Sequence, residues 1–178
     1  MSGRLEGREV AVLIAEGFED LEFWVTVMRL REEGAHVRIA GLDPGARVRG
    51  KNGLQAEADV AIGGVVATDI DAVVVPGGWA PDKLRRYGAV TELLADVHAQ
   101  GKIVGLICHA GLVGISAGIV AGGRATGSLG IKDDLVNAGA TWVDEPAFRD
   151  GSIVWGRVVE DIPDFCRELV LAIETNAA

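Results

Sequence analysis

Three features of the chain predict an α/β fold with a mostly parallel central sheet. Short, uninterrupted apolar runs recur: VAVLIA at 10–15, DAVVVPGG at 71–78 and KIVGLI at 102–107. Strands read this way when helices cover both faces of their sheet, because neither face is left for polar side chains. Between the runs lie segments with helical spacing, and strands alternating with helices imply crossover connections and helices on both faces. The third feature is punctuation: proline and glycine fall where the runs stop, at Pro76-Gly77-Gly78 and just beyond Cys108.

Residues 10–15 form the first expected strand. A helix follows from about Glu19 to Glu33, with Leu21, Trp24, Val25, Met28 and Leu30 as its apolar face and Gly34 as its stop. HVRIAGL (36–42) is the second strand. Turns are marked by Pro44-Gly45 and by Asn52-Gly53, the latter a strong hairpin dipeptide. After the strand within 71–78 comes a helix over 81–100, then a fourth strand at 102–107 ending at Cys108, then a glycine-containing helix at 111–121. Shorter signals suggest a strand near 124–127, a helix at 131–138, and strands near 140–143 and 152–155. A last helix spans 161–175, with Pro163 in its first turn. There is neither repeat nor linker, and 178 residues suit one domain over 1–178.

Composition narrows the function. Apolar residues at 49% and charged residues at 24% describe a globular chain rather than a disordered one. A net charge of −9 without a basic cluster argues against nucleic acid. No apolar run approaches a membrane span, and MSGRLEGREV lacks the apolar core of a secretory signal. Two cysteines make no disulfide framework, so a cytoplasmic setting with reduced thiols is expected. Three histidines without a Cys/His/carboxylate cluster predict no metal. No Gly-x-Gly-x-x-Gly opens a helix, so no nucleotide-type cofactor is expected either.

Parallel sheets collect ligands at the carboxyl ends of their strands. There the first strand runs into AEGFED (15–20), the third into PGGWAPD (76–82) and the fourth into CHAG (108–111), so acids, a glycine-rich loop and a cysteine share one rim. A free cysteine is most often a small buried apolar residue. Cys166 fits that description, on a helix face with Phe165, Leu169 and Ile173. Cys108 differs, because a strand-to-helix turn at a small residue followed by glycines has the form of a nucleophile elbow. The next helix would aim its N-terminal dipole at the sulfur and favour thiolate. His109, brought round by the turn, is placed to shuttle a proton. Glu16, Glu19, Asp20 and Glu22 all suit a helix's first turn for dipole reasons alone, and Glu19 is best placed by sequence to hydrogen-bond the cysteine. Gly77-Gly78 is a tight turn on the simplest reading. On the functional reading, its bare N–H joins that of His109 in an oxyanion hole.

EGFEDLEF (16–23), REEGAHV (31–37), VVVPGGWAPD (73–82), GKIVGLICHAG (101–111) and GIKDDLVNAGATWVDEP (130–146) follow one another in an order that resembles the ThiJ/PfpI superfamily, nearest to its PfpI-type branch of intracellular cysteine proteases and deglycases. The resemblance implies a flavodoxin-like three-layer sandwich with the elbow at Cys108. It implies Cys108 as nucleophile, His109 as acid–base partner, Glu19 as the carboxyl on the cysteine, and Gly78 with His109 as oxyanion donors. Asp82 stands where PfpI-type members place an acid that reaches the histidine of a neighbouring subunit, which implies a homo-oligomer, a dimer or a hexamer of dimers. Four positions depart from the pattern. Asp82 replaces the usual Glu, Ala110-Gly111 replaces Gly-Pro, and Trp79 adds an apolar wall where relatives are often polar. The implied activity is cofactor-independent thiolate chemistry on small aldehydes or glycated proteins and peptides, either glyoxalase III-type hydration of methylglyoxal to lactate or removal of early glycation adducts. A cysteine peptidase, or a non-enzymatic redox sensor or holdase chaperone, would use the same thiol.

Overall fold

The computed structural model describes residues 3–176. Seven strands form the central sheet in the order β10-β11-β7-β6-β1-β2-β5. They are β1 (Glu9–Leu13), β2 (His36–Gly41), β5 (Val60–Ala61), β6 (Ala72–Val75), β7 (Ile103–Ile107), β10 (Ala147–Asp150) and β11 (Ile153–Gly156). Every neighbouring pair is parallel except β10 with β11. The apolar runs of the sequence are the central strands: β6 and β7 are buried throughout. Helices α1 (Asp20–Glu32) and α6 (Ile162–Thr175) pack together on one face. The other face is covered by α2 (Ala80–Leu84), α3 (Gly88–Ala99) and α4 (Gly111–Ser116). Gly105 and Gly156 open a slot in the sheet for α6, since a Cβ on them would come within 3.3 Å and 2.9 Å of the Phe165 ring. The expected three-layer sandwich is the fold observed.

Smaller pieces lie outside this sheet. The Asn52-Gly53 turn joins β3 (Arg47–Arg49) to β4 (Gln55–Glu57) as an antiparallel hairpin. A parallel pair, β8 (Arg124–Ala125) with β9 (Thr141–Trp142), flanks α5 (Lys132–Asn137) and does not extend the main sheet.

Several local expectations are corrected. The helix expected over 81–100 is two, because Tyr87 is extended (φ −104°, ψ 122°) just before Gly88, where helical propensity is low. The helix expected to reach 121 ends at Ser116, with Gly118 in the left-handed region at φ 74°. Strand β10 was not foreseen: AFRD is a short edge strand of mixed polarity, with neither alternation nor an apolar run to announce it. The apolar face expected for α1 is right for Leu30, which is buried, and for Trp24, which packs partly buried against the core. Phe23, Val27 and Leu30 face the core, whereas Leu21, Val25 and Met28 are exposed. Both faces of this helix carry apolar residues, so their spacing alone does not identify the side that meets the sheet.

Candidate active site

The sheet reverses its winding between β1 and β6: the chain leaves β1 toward β2 and returns to β6 on the other side. That is where open α/β sheets leave a crevice at their carboxyl edge. The segments after β1, β6 and β7 meet there. Phe18 bridges Gly78, Glu19 N–H donates to the Gly77 carbonyl at 3.1 Å, and Trp79 N–H donates to the Gly17 carbonyl at 2.7 Å. The rim is therefore zipped together by main chain.

Cys108 opens the turn after β7 with φ 62°, the only non-glycine residue with positive φ among those described. An L-residue there carries strain of order 1–2 kcal/mol. The turn lifts the side chain off the strand line, and the thiol remains only partly buried. Its Sγ lies 3.2 Å from His109 Nδ1. The backbone N–H groups of Gly78 and His109 hydrogen-bond the sulfur. Gly77 permits this closeness, because a Cβ there would stand 2.6 Å from both Cys108 Cβ and Glu22 Oε2. Gly78 is constrained twice, by φ 78° and by backbone atoms 2.5 Å from a would-be Cβ.

The carboxyl group at the sulfur is that of Glu22, not Glu19. Glu22 is fully buried, its Oε2 accepts from Gly77 N–H at 2.7 Å, and it shares a hydrogen bond with Cys108. Its Oε1 is buried without a hydrogen-bond partner among the described groups. Glu19 instead caps α1: Oε2 accepts from the N–H groups of Leu21 and Glu22, each at 2.8 Å, and Oε1 accepts from Asn52 Nδ2 at 3.1 Å. Beside it, Asp20 accepts from Asn52 N–H at 2.8 Å and Leu54 N–H at 2.7 Å, tying the β3–β4 hairpin to the start of the helix. Glu19→Ala is accordingly expected to cost about 2 kcal/mol through the lost cap. Urea unfolding measures that loss, and an unchanged midpoint would sink the capping role.

The electrostatics also differ from expectation. Burial, then the Glu22 carboxylate, pushes the Cys108 thiol up to about 12, against the lowering effect of the two N–H donors. Burial raises Glu22 to about 7. Two negative charges in contact are costly, so the pair holds a shared proton rather than a free thiolate. The helix after the elbow has only six residues and begins beyond a 3-10 turn at residues 108–110, so its dipole is offset by burial. His109 is lowered by burial and then by Lys51, which favours a neutral imidazole able to accept a proton. Lys51 was not singled out from the sequence. The hairpin sets this residue beside the site, the backbone N–H of Lys51 donating to the Phe18 carbonyl at 2.9 Å.

Trp79 is at the rim and exposed. Asp82 lies on α2, exposed and paired with Arg86, and no hydrogen bond joins it to His109 within the chain. Cys166 is buried against Thr26 Oγ1 at 3.7 Å, as a core residue. Among the described residues, no group of His, Cys, Asp and Glu is arranged to hold a metal ion, and no helix is long and apolar enough to cross a membrane.

Comparison with known proteins follows the same lines. The DJ-1/PfpI family description matches residues 8–172. A protein of Pyrococcus abyssi named as a deglycase is 40% identical over 161 residues, 90% of this chain and 96% of that one. YraA of Bacillus subtilis, whose name proposes a cysteine protease, is 36% identical over 90% of this chain and 95% of its own. Among solved structures, a two-domain protein of Anabaena variabilis with DJ-1/ThiJ/PfpI-like and ferritin-like domains superposes with a TM-score of 0.91 at 32% identity. The match covers 96% of this chain and 52% of that longer one, about half its length.

Proposed function

The chain belongs to the DJ-1/PfpI family, and from that premise we propose that it is a cofactor-independent enzyme whose Cys108 attacks reactive carbonyl compounds. The observation that supports this most is the strained elbow at Cys108 with a carboxyl, an imidazole and two backbone N–H groups converging on its sulfur. Strain of this kind persists where the surroundings over-determine it, and it clusters at sites of chemistry.

The sulfur adds to the aldehyde carbon of a dicarbonyl such as methylglyoxal, forming the S–C bond of a hemithioacetal. The thiol proton passes to His109 or is held by Glu22, and the carbonyl electron pair moves to oxygen. Gly78 and His109 N–H groups already point at the sulfur, so an oxygen on the attached carbon falls within their reach. The same proton then returns to that oxygen. The base then carries the hydrogen of the sulfur-bearing carbon to the neighbouring carbonyl carbon, which oxidises the first carbon and reduces the second to give an S-lactoyl thioester. One water cleaves its S–C bond, releasing the hydroxy acid and the free thiol. An early glycation adduct follows the same course once its amine has left with a proton. The names of relatives as deglycases agree with this chemistry.

The name of YraA supports a second reading, acyl transfer from a peptide by the same thiol. We also propose a homo-oligomer: the outward stripe Leu21, Val25 and Met28 on α1 is an exposed apolar face suited to a second copy, and exposed Asp82 would exchange its Arg86 partner for a neighbour's His109. A reducing cytoplasm suits two unpaired cysteines. Incubating the protein with methylglyoxal, with a methylglyoxal-modified peptide and with a fluorogenic peptide separates the readings. Hydroxy-acid formation is expected from the first two, and cleavage of the third alone would overturn the carbonyl reading.

A further inference from the structure

Two large apolar side chains stand exposed on the segments that carry this site: Trp79 at 66% and Leu129 at 74%, the two most exposed of the large apolar residues described. Both belong to segments that touch the reacting groups. Trp79 follows Gly78, whose N–H is on the Cys108 sulfur, and its ring edge packs over Gly17, where a Cβ would lie 3.2 Å from Trp79 Cε3. Leu129 lies between Ser128, whose N–H donates to the Cys108 carbonyl at 3.2 Å, and Gly130, where a Cβ would stand 3.5 Å from His109 Nε2.

The two segments approach from opposite sides. Residues 76–79 leave β6 on the side of β1, with which they are zipped. The loop at 127–131 lies toward β11: a Cβ on Gly111 would touch both Ile131 and the ring of Trp155, a β11 residue. Cys108 and His109 sit between them. Water meets both side chains in the free protein, and covering them is the favourable event that a bound apolar group supplies.

We propose that Trp79 and Leu129 form an apolar subsite that selects carbonyl compounds carrying an aromatic or branched apolar substituent over those carrying hydrogen or methyl. This rests on the reading of Cys108 as the group that meets substrate. The acids of the neighbourhood do not oppose it, since Glu19 and Asp20 are occupied by the helix cap and the hairpin and Glu22 is buried at the sulfur.

The test compares alkylation of Cys108 by N-benzyl-iodoacetamide and by iodoacetamide, with the modified residue located by peptide mapping. The ratio of the two rates cancels the reactivity of the thiol itself. In the unaltered protein it is expected about tenfold above the ratio for glutathione, falling about threefold in Trp79→Ala or Leu129→Ala and to the glutathione value in the double variant. A ratio equal to that of glutathione, or one insensitive to both substitutions, overturns the subsite. Turnover of methylglyoxal in the same preparations is read separately: its absence with the ratio intact would reject the carbonyl reaction and leave the subsite standing.

Discussion

Cys108→Ala is expected to abolish carbonyl turnover, lowering kcat/KM by at least about 1000-fold, because the second cysteine, Cys166, is buried in the core and cannot replace the thiol. The fold should survive. The side chain makes its bonds at the protein's edge, and alanine keeps the Cβ that Gly77 packs against. Cys108→Gly provides the control that separates chemistry from folding. Glycine adopts φ 62° without strain, so this variant is expected to be as inactive as the alanine variant and more stable by about 1 kcal/mol. Thermal unfolding of the three proteins, with turnover measured on each, checks both statements. Turnover surviving in Cys108→Ala would remove the nucleophile assignment whatever the stability.

The second large effect belongs to Glu22. Glu22→Gln keeps the size of the side chain and a hydrogen-bond donor but removes the charge that pushes the Cys108 thiol up. Alkylation by iodoacetamide at pH 8 is therefore expected to rise about tenfold. Turnover should nevertheless fall, by about 100-fold, since an amide neither takes nor returns the shared proton. The stability curve carries the same residue's signature. Glu22 is raised in the folded protein from 4.5 to about 7, so the native state binds its proton more tightly than the unfolded chain does. That contribution is fully present below pH 4.5 and is lost as pH climbs to about 7. It amounts to at most about 3 kcal/mol. In Glu22→Gln the loss over this range should vanish. Parallel stability–pH curves for the two proteins would mean that Glu22 is not the group holding the proton.

The mistake over Glu19 and Glu22 shows where sequence reading reached its limit. The parallel strands were legible because burial on both faces writes an unbroken apolar run, and the elbow was legible because strand, small residue and glycines come consecutively. A helix's rotation about its axis is written less plainly. Glu19 stood out by its place at the helix start and by the family resemblance, and the expected face of Leu21, Trp24, Val25, Met28 and Leu30 gave no reason to prefer Glu22. The observed inner stripe includes Glu22, Thr26 and Leu30, four residues apart. An acid in register with buried positions was the available signal, and the outward apolar stripe masked it. Lys51 was beyond such reasoning, since its place depends on Asp20 holding a hairpin more than thirty residues further along the chain. The separation of α2 from α3 turned on the backbone angle of a single tyrosine.

The bonds that close the rim run between main-chain atoms: Trp79 to Gly17, Glu19 to Gly77, Ser128 to Cys108. None of them depends on the side chains at 79 or 129. The molecule thereby divides its labour, with the reacting atoms held by backbone and the recognition of substrate left to two outward side chains. Descendants of this chain can exchange those two residues, and with them their diet, without rebuilding the machinery beneath.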